Sequence, residues 1–303
     1  TDWDAFAAVP MDFAVVSVKR GAVTDVVRQL RQRDIAVLCE TPPAESLEDL
    51  KALWAEQGGA GVRFQVAEQY FLQPLYAAWL EAIRLGLLGA ISNVNLSAVH
   101  GYHASSLIRR LLGLRFPSFV VSGKVFRFPL TNTGSRAGLD VSGTVGEAVR
   151  HRLEMTFDNG QVAFIDFSGS QYHSTIRTRQ LTVQGSRGEI DDLTVRYLGT
   201  DNRAITQVLE RIDRGVYNNT DWSHDRLMLG GICLYATPLA GARLNDDELA
   251  VATCLLEMAR SLTDGKPFYG LADALEDASW ALLWDEALAK STPVVSVPQP
   301  WHS

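Results

Sequence analysis

The chain has 303 residues, of which 47% are hydrophobic and 21% charged, and 28 Lys and Arg against 35 Asp and Glu give a formal net charge of −7. This composition predicts a folded protein of one large or two ordinary domains rather than a disordered chain. The acidic balance excludes a general nucleic-acid binder, and no apolar run approaches the ~18 residues of a membrane span. Three scattered cysteines, Cys39, Cys233 and Cys254, predict a reducing, cytoplasmic location rather than a disulfide scaffold.

The first 70 residues alternate short apolar runs with helical patterns. Apolar runs at 13–18 and 35–39 and an alternating segment at 62–66 predict three strands. Helical spacing predicts helices at 23–32 and from 46 to the glycines at 58–59. Strand, helix, strand, helix, strand is the pattern of a doubly wound parallel sheet, as in the Rossmann fold.

From residue 71 the pattern changes to one helix, then many strands, then two helices. A helix is expected at 74–85, and the last two helices are expected from Asn245 to Gly265 and over 271–289. The predicted strands lie at 91–99, 119–128, 148–157, 162–167, 175–183 and 193–197. The pattern predicts an α+β region with a large, mostly antiparallel open sheet. Residues 291–303 are expected to form an extended tail.

Polar residues follow two of the buried strands directly. Glu40 and Thr41 come after the second strand, and Glu68, Gln69 and Tyr70 come after the third. Ligands of open parallel sheets bind at the carboxyl ends of the strands, so these residues are candidates to line one crevice. The alternative interpretation is that polar residues simply collect where strands end.

An ordered series of segments resembles the Gfo/Idh/MocA family, the relatives of glucose–fructose oxidoreductase and inositol dehydrogenase. The segments are 37–42 (VLCETP), 67–70 (AEQY) with Pro74, 86–89 (GLLG), His103 followed by Leu112 and Gly113, 133–138 (TGSRAG) and 271–276 (LADALE). The resemblance implies that residues 1–70 are the C-terminal portion of a Rossmann domain binding NAD or NADP. It implies a substrate-binding and oligomerisation domain over 71–303, whose last helix packs back towards the first domain. The implied chemistry is reversible hydride transfer at a sugar or polyol carbon.

The resemblance also implies roles for individual residues. His103 is the candidate acid–base residue, with His100 and Tyr102 beside it as polar alternatives. Candidate cofactor contacts are Glu40, Thr41, Pro42, Glu68 and Gln69. Candidate substrate contacts are Tyr70, Lys124, Arg136, Gln171, Tyr172 and Arg177.

Physical arguments for these residues leave alternatives open. A helix predicted over 104–112 places His103 at a helix N-terminus, which favours the neutral imidazole that a general base needs. A capping or interface histidine is the alternative. Arg177 and Arg179 alternate with Ile176 and Thr178, so both arginines could simply face solvent.

Two further histidine patterns indicate little chemistry. His100 and His103 have the spacing of half a metal site, but no nearby cysteine or carboxylate completes it, so no metal is predicted. The segment 221–225 (DWSHD) offers two carboxylates and an imidazole, a pattern more typical of a helix cap or a solvated turn.

The sequence departs from the family pattern in three ways. It has no Gly-x-Gly-x-x-Gly turn near its start, Thr41 replaces the lysine of the Glu-Lys-Pro signature, and Val99 replaces the aspartate four residues before His103. We therefore expect either that about 60 upstream residues, two βα units, complete the domain, or that dinucleotide is not bound in the family manner. A sheet without those strands is expected to leave an edge unpaired.

Two classes of function remain. The first is an NAD(P)-dependent oxidoreductase acting on a sugar, polyol or related carbonyl compound. The second, indicated by Thr41 and Val99, is a catalytically altered or inactive paralogue that binds a small molecule or regulates. In both, the expected partners are a sugar-like small molecule and further copies of the chain, with no nucleic acid and no membrane.

Overall fold

The computed structural model describes residues 2–215 and 223–303. Its helices are α1 (Trp3–Ala7), α2 (Val23–Gln32), α3 (Leu47–Gln57), α4 (Pro74–Arg84), α5 (Gly101–Leu111), α6 (Asp246–Asp264) and α7 (Leu271–Lys290). Its strands are β1 (Phe13–Val16), β2 (Ala36–Cys39), β3 (Phe64–Val66), β4 (Ile91–Ser97), β5 (Phe119–Thr131), β6 (Gly134–Ser135), β7 (Gly138–Leu139), β8 (Val145–Phe157), β9 (Val162–Ser168), β10 (Gln180–Gly185), β11 (Gly188–Asp191), β12 (Thr194–Leu198), β13 (Ala204–Arg214), β14 (Ser223–Leu229), β15 (Ile232–Ala236) and β16 (Val294–Val295).

The first layer is a parallel sheet of β1, β2 and β3. Helix α2 buries Val23, Val27 and Leu30, a stripe at helical spacing, beside β1 and β2. On the opposite side, Cys254 and Met258 of α6 pack against β2. A helix from late in the chain therefore completes the cover of this sheet, and the predicted strand–helix alternation is confirmed.

The second layer is a large open sheet. Among the described residues its order is β15-β14-β13-β12-β11-β10-β4-β9-β8-β5-β16, and β4–β9 is its parallel pair. Helices α5 and α7 pack on one face, against β4 and β5 respectively. The other face is open to solvent. In β5, Val121 on the covered face is fully buried, whereas its neighbour Val120 on the open face is 41% exposed. The predicted large, mostly antiparallel open sheet is confirmed.

Three parts of the chain differ from the sequence-based expectation. Strands β13 to β15 extend the sheet at one end, where half-exposed positions weaken the apolar alternation. The strand expected at 175–183 begins only at Gln180. The C-terminal tail is not merely extended, because β16 pairs with β5 and Trp301 is buried. The Trp301 indole donates a hydrogen bond to Glu276 at 2.8 Å, which anchors the tail to α7.

Two further features of the fold concern possible contacts with a further strand and with a membrane. Strand β1 pairs with β2, and its other edge has no partner strand within the described ranges. Within those ranges, no helix combines the length and apolar character needed to cross a membrane.

Candidate active site

The topology of the large sheet gathers several polar side chains at one edge. Strands β4 and β9 are parallel, so their carboxyl ends, at Ser97 and Ser168, meet at the same edge. Strand β10 runs the opposite way and starts there, with Gln180 opposite Ser97. The segments next to this edge are the start of α5, the 3₁₀ turn Gly169–Tyr172 and the loop before β10. The pairing of β4 with β9 and β10 therefore brings these three segments together at one edge of the large sheet.

The centre of this region is a pair formed by His103 and Glu68. His103 lies in the first turn of α5, and its Nδ1 is 2.7 Å from Oε2 of Glu68. Glu68 follows β3 and is fully buried, and its Oε1 accepts the N–H of Tyr70 at 3.1 Å. Within residues 2–215 and 223–303, Nε2 of His103 has no hydrogen-bond partner. The sequence placed Glu68 beside the cofactor, and its contact with His103 arises only from the packing of α5 against the 3₁₀ turn Tyr70–Leu72 that follows β3.

Carboxylates around His103 raise its pKa, whereas the helix N-terminus was expected to lower it. Burial lowers the pKa of His103, but the Glu68 carboxylate, through its charge and its hydrogen bond, outweighs burial and raises the pKa above its ordinary value of 6.5. Glu40 and Asp247 act in the same direction. The predicted neutral-favouring influence of the helix N-terminus is therefore not the dominant one.

Two tyrosines form the wall beside the pair. The Tyr70 ring lies 4.5 Å from the His103 ring, centroid to centroid. The Tyr172 hydroxyl is 2.5 Å from Nδ1 of His100 and accepts the His100 N–H at 3.2 Å. Burial raises the pKa of both tyrosines, so both hydroxyls stay protonated at neutral pH. Tyr70, His100, His103 and Tyr172, predicted separately, are thus brought into one cluster.

Tyr102 points elsewhere. Its hydroxyl is 2.9 Å from that of Tyr269, which donates to Asp277 at 2.6 Å. Asp277 in turn accepts two hydrogen bonds from Arg109. This placement gives the Tyr102 hydroxyl a role in the core between α5 and α7 rather than at the open end of the site.

The residues after β2 lie at the carboxyl edge of the parallel sheet. Thr41 donates its N–H and its hydroxyl to Oε1 of Glu40, at 3.0 and 3.2 Å, and the Thr41–Pro42 peptide bond is cis. Glu40 is exposed, whereas Thr41 and Gln69 are partly exposed. Val99, at the position of the family's aspartate, is fully buried in the core. Polar groups for a ligand are therefore present after β2 and β3 but not at Val99.

Gln171 is a supporting residue rather than an exposed contact. Its buried amide nitrogen donates to the carbonyl oxygens of Ser97 at 3.0 Å and Thr178 at 2.7 Å. Its amide oxygen accepts the N–H of Ser168 at 2.9 Å. This amide therefore ties the ends of β4 and β9 to the loop before β10.

The remaining predicted substrate contacts are scattered. Lys124 lines a concavity of about 570 Å³ on the open face of the large sheet. Arg136 is exposed near the β6–β7 hairpin, and Arg177 is exposed and donates to the carbonyl of Ile176. No hydrogen bond or ion pair within the described residues links these three cations to His103. Arg179, which the sequence left as a solvent-facing alternative, lies at the site and stacks on Tyr172, with Cζ 5.0 Å from the ring centroid.

The two other histidine patterns can now be placed. In the part of the chain that the structure describes, no group of three or more His, Cys, Asp or Glu side chains is arranged to hold a metal ion. Of the 221–225 segment, Asp221 and Trp222 lie outside the described residues. His224 is buried, with Nδ1 3.2 Å from Asp213.

Comparison with known proteins gives a family match for the first part of the chain. Residues 1–68 match the GFO_IDH_MocA model, described as an oxidoreductase family with an NAD-binding Rossmann fold. No curated protein matches the sequence.

Solved structures of related fold cover almost all of this chain. An oxidoreductase from Agrobacterium radiobacter, in complex with NAD+, L-tartaric acid and magnesium, superposes with a TM-score of 0.66 at 15% identity, over 97% of this chain and 82% of its own. Levoglucosan dehydrogenase superposes with a TM-score of 0.66 at 17% identity, over 99% and 83%. A myo-inositol dehydrogenase from Corynebacterium glutamicum superposes with a TM-score of 0.62 at 14% identity, over 98% and 83%. At these identities the likeness shows a shared fold.

Proposed function

We propose, proceeding from the assignment to the Gfo/Idh/MocA oxidoreductase family that the comparisons support, that this chain catalyses reversible hydride transfer between a nicotinamide cofactor and a hydroxyl-bearing carbon. The substrate class is a sugar, polyol or related carbonyl compound. The observation that carries the proposal is the His103–Glu68 pair, an imidazole held through Nδ1 by a fully buried carboxylate at the carboxyl edge of the sheet.

The residues present fit one end of the cofactor. A nicotinamide, when bound, accepts or supplies the hydride. Glu40, Thr41, Pro42 and Gln69 lie where ligands of doubly wound sheets bind, and we assign to them the contact with the nicotinamide end. The glycine-rich turn that cradles pyrophosphate in this fold is not in this sequence.

The proton is handled by His103. When the substrate alcohol loses hydride from carbon, its hydroxyl proton passes to Nε2 of His103 and a C=O bond forms. Because Nδ1–H donates to Glu68, the lone pair of the neutral ring is on Nε2, and the carboxylate stabilises the imidazolium that results. In the reverse direction Nε2 returns the proton to the carbonyl oxygen. Glu68 thereby supplies the carboxylate that Val99 does not.

The pH dependence of turnover tests the role of Glu68. The neutral base exists above the pKa of His103, so kcat/KM for alcohol oxidation is expected to rise with pH and to reach half its maximum above 6.5. Glu68→Gln removes the carboxylate that raises the pKa of His103 but keeps the burial that lowers it. The midpoint of the pH profile is therefore expected to fall. Asp247→Asn, which removes an exposed carboxylate with the same sign of effect, is expected to lower it less. Equal midpoints in wild type and Glu68→Gln would contradict the proposed pair.

A second candidate function is a binding or regulatory paralogue. It is favoured by Thr41, which carries no charge, and by Val99, which is buried among apolar side chains. The two candidates are separated by testing NADH formation with a panel of sugars and polyols. Ligand binding without any turnover would favour the paralogue.

We also propose a cytoplasmic homo-oligomer. Three free cysteines support the compartment. The open face of the large sheet carries exposed apolar side chains, among them Val120, Phe126 and Phe164, which support association through that face. Light scattering at micromolar concentration is expected to give a mass of at least two chains, and a strict monomer would contradict the oligomer.

A further inference from the structure

Arg179 is the cation that the fold brings to the candidate active site. Its guanidinium carbon lies 5.0 Å from the centroid of the Tyr172 ring, a stacking contact that restricts the side chain. The Tyr172 hydroxyl contacts both the ring and the backbone N–H of His100. The charge of Arg179 also acts on the pKa of Tyr70, the residue whose ring stacks on His103. Arg179 therefore lies within electrostatic reach of the groups around the acid–base residue.

The backbone that carries Arg179 is held in place from inside the protein. The buried Gln171 amide donates to the carbonyl of Thr178, the residue before Arg179. Gln180, the residue after it, pairs with Ser97 at the start of β10. An exposed arginine is usually free to sample many positions, but here one neighbour is clamped by a buried amide and the other by the sheet. These contacts fix the backbone at Arg179, and the stacking on Tyr172 restricts the guanidinium, which reduces the entropy lost on binding a ligand.

The charge distribution leaves this guanidinium available. Glu68, Glu40 and Asp247 raise the pKa of His103, and Asp247 also acts on the pKa values of Tyr70 and Tyr172. Within residues 2–215 and 223–303, Arg179 takes part in no ion pair with any of them. A guanidinium that is exposed, oriented and not neutralised is suited to bind a planar anion through two parallel hydrogen bonds.

We propose that Arg179 binds a carboxylate of the substrate, so that the site prefers a polyhydroxy acid to the neutral polyol of the same length. The proposal rests on the proposed function in placing the substrate beside His103. Because His103 stacks on Tyr70 whereas Arg179 stacks on Tyr172, we expect the carboxylate to be several bonds away from the reacting carbon. A carboxylate is favoured over a phosphate because, among the described residues, Arg179 is the cation that stacks on Tyr172, and one guanidinium matches the two oxygens of a carboxylate through two parallel hydrogen bonds.

The test is a binding measurement with matched probes. Isothermal titration of the chain, with and without NAD+, compares D-gluconate with D-glucitol and D-galactonate with galactitol, pairs that differ only in one carboxylate. We expect at least one acid to bind at least about tenfold more tightly than its polyol, the scale of a hydrogen-bonded charge. In Arg179→Gln this preference is expected to vanish. Arg115→Gln is the matched control, because Arg115 is also exposed and stacks on an aromatic ring, with Cζ 4.9 Å from the Phe116 centroid, and it is expected to keep the preference.

Each alternative outcome is decisive. Equal affinity for acid and polyol, no binding of either acid, or a preference that survives in Arg179→Gln overturns the proposal. Loss of the preference in Arg177→Gln with retention in Arg179→Gln assigns the anion to Arg177 and also overturns it. Tighter binding of D-glucitol 6-phosphate than of both acids overturns the choice of carboxylate. Failure of the proposed function appears separately, as no NADH formation while the acid preference and its loss in Arg179→Gln persist.

Discussion

Replacing His103 by asparagine is expected to lower kcat/KM for NAD(P)-dependent alcohol oxidation by about 10²- to 10⁴-fold, the usual contribution of a general acid–base residue. Asparagine keeps a polar side chain that can still contact Glu68, but it has no group that takes a proton at Nε2. The loss is expected in both directions of the reaction, because the same ring accepts the proton in oxidation and returns it in reduction. Initial rates of nicotinamide absorbance measure the effect.

A matched control separates the chemistry from the folding. His302 also forms a 2.7 Å contact with a buried glutamate, Glu276, but it does so in the C-terminal tail, stacked on Phe116. His302→Asn is expected to leave the rate unchanged. If His103→Asn retains more than about half of the activity while folded, His103 is not the acid–base residue. If the wild type has no activity with any sugar, polyol or acid, the paralogue function is favoured.

Replacing Asp277 by alanine is expected to reduce the free energy of unfolding by about 3–5 kcal/mol, because it leaves a buried guanidinium without its main partner. Asp277 is fully buried and accepts from Nε and Nη2 of Arg109, at 2.8 and 3.0 Å. Burial lowers the pKa of Arg109, but the Asp277 charge outweighs it and raises the pKa, so the guanidinium stays charged. The Tyr269 hydroxyl loses its acceptor at the same time. Urea unfolding followed by tryptophan fluorescence measures the change.

An exposed pair of the same chemistry serves as the control. Arg127 and Glu147 are 2.7 Å apart on β5 and β8, and their side chains are 60% and 59% exposed. Glu147→Ala is expected to cost less than about 1 kcal/mol, since water and salt screen the pair. Similar losses for Asp277→Ala and Glu147→Ala would show that the Arg109–Asp277 contact does not hold α5 against α7.

The local pattern of apolar residues in the sequence predicted much of the fold. The apolar runs before Cys39 and Val66 and the helical spacing of Val23, Val27 and Leu30 predicted the parallel sheet and its helix, because each element buries a face whose period is set by its own backbone. Asn245 and Glu248 predicted the start of α6, since a capping box is formed within four residues. The β13–β15 strands escaped prediction because half-exposed positions at the end of a sheet carry a weak apolar alternation.

The sequence predicted several residues of the candidate site but not the contacts between them. The sequence, with its family resemblance, identified His103, Glu68, Tyr70 and Tyr172 as candidates. It did not reveal that Glu68 holds His103, because the two residues are 35 positions apart and meet only when α5 packs against the turn that follows β3. Nor did it place Tyr172 against His100, which depends on the parallel pairing of β4 with β9.

The sequence by itself determined the elements of the parallel sheet, the exclusion of a basic nucleic-acid surface and the family pattern, because these depend on composition, short-range periodicity and the order of motifs. Tertiary structure decided which of the polar candidates meet. It raised the pKa of His103 through a buried carboxylate, assigned Gln171 to a clamp within the core and left Arg179 oriented without an ion-pair partner among the described residues. Charge interactions and hydrogen bonds act over a few ångströms in space, and only packing brings residues that are distant in sequence within that range.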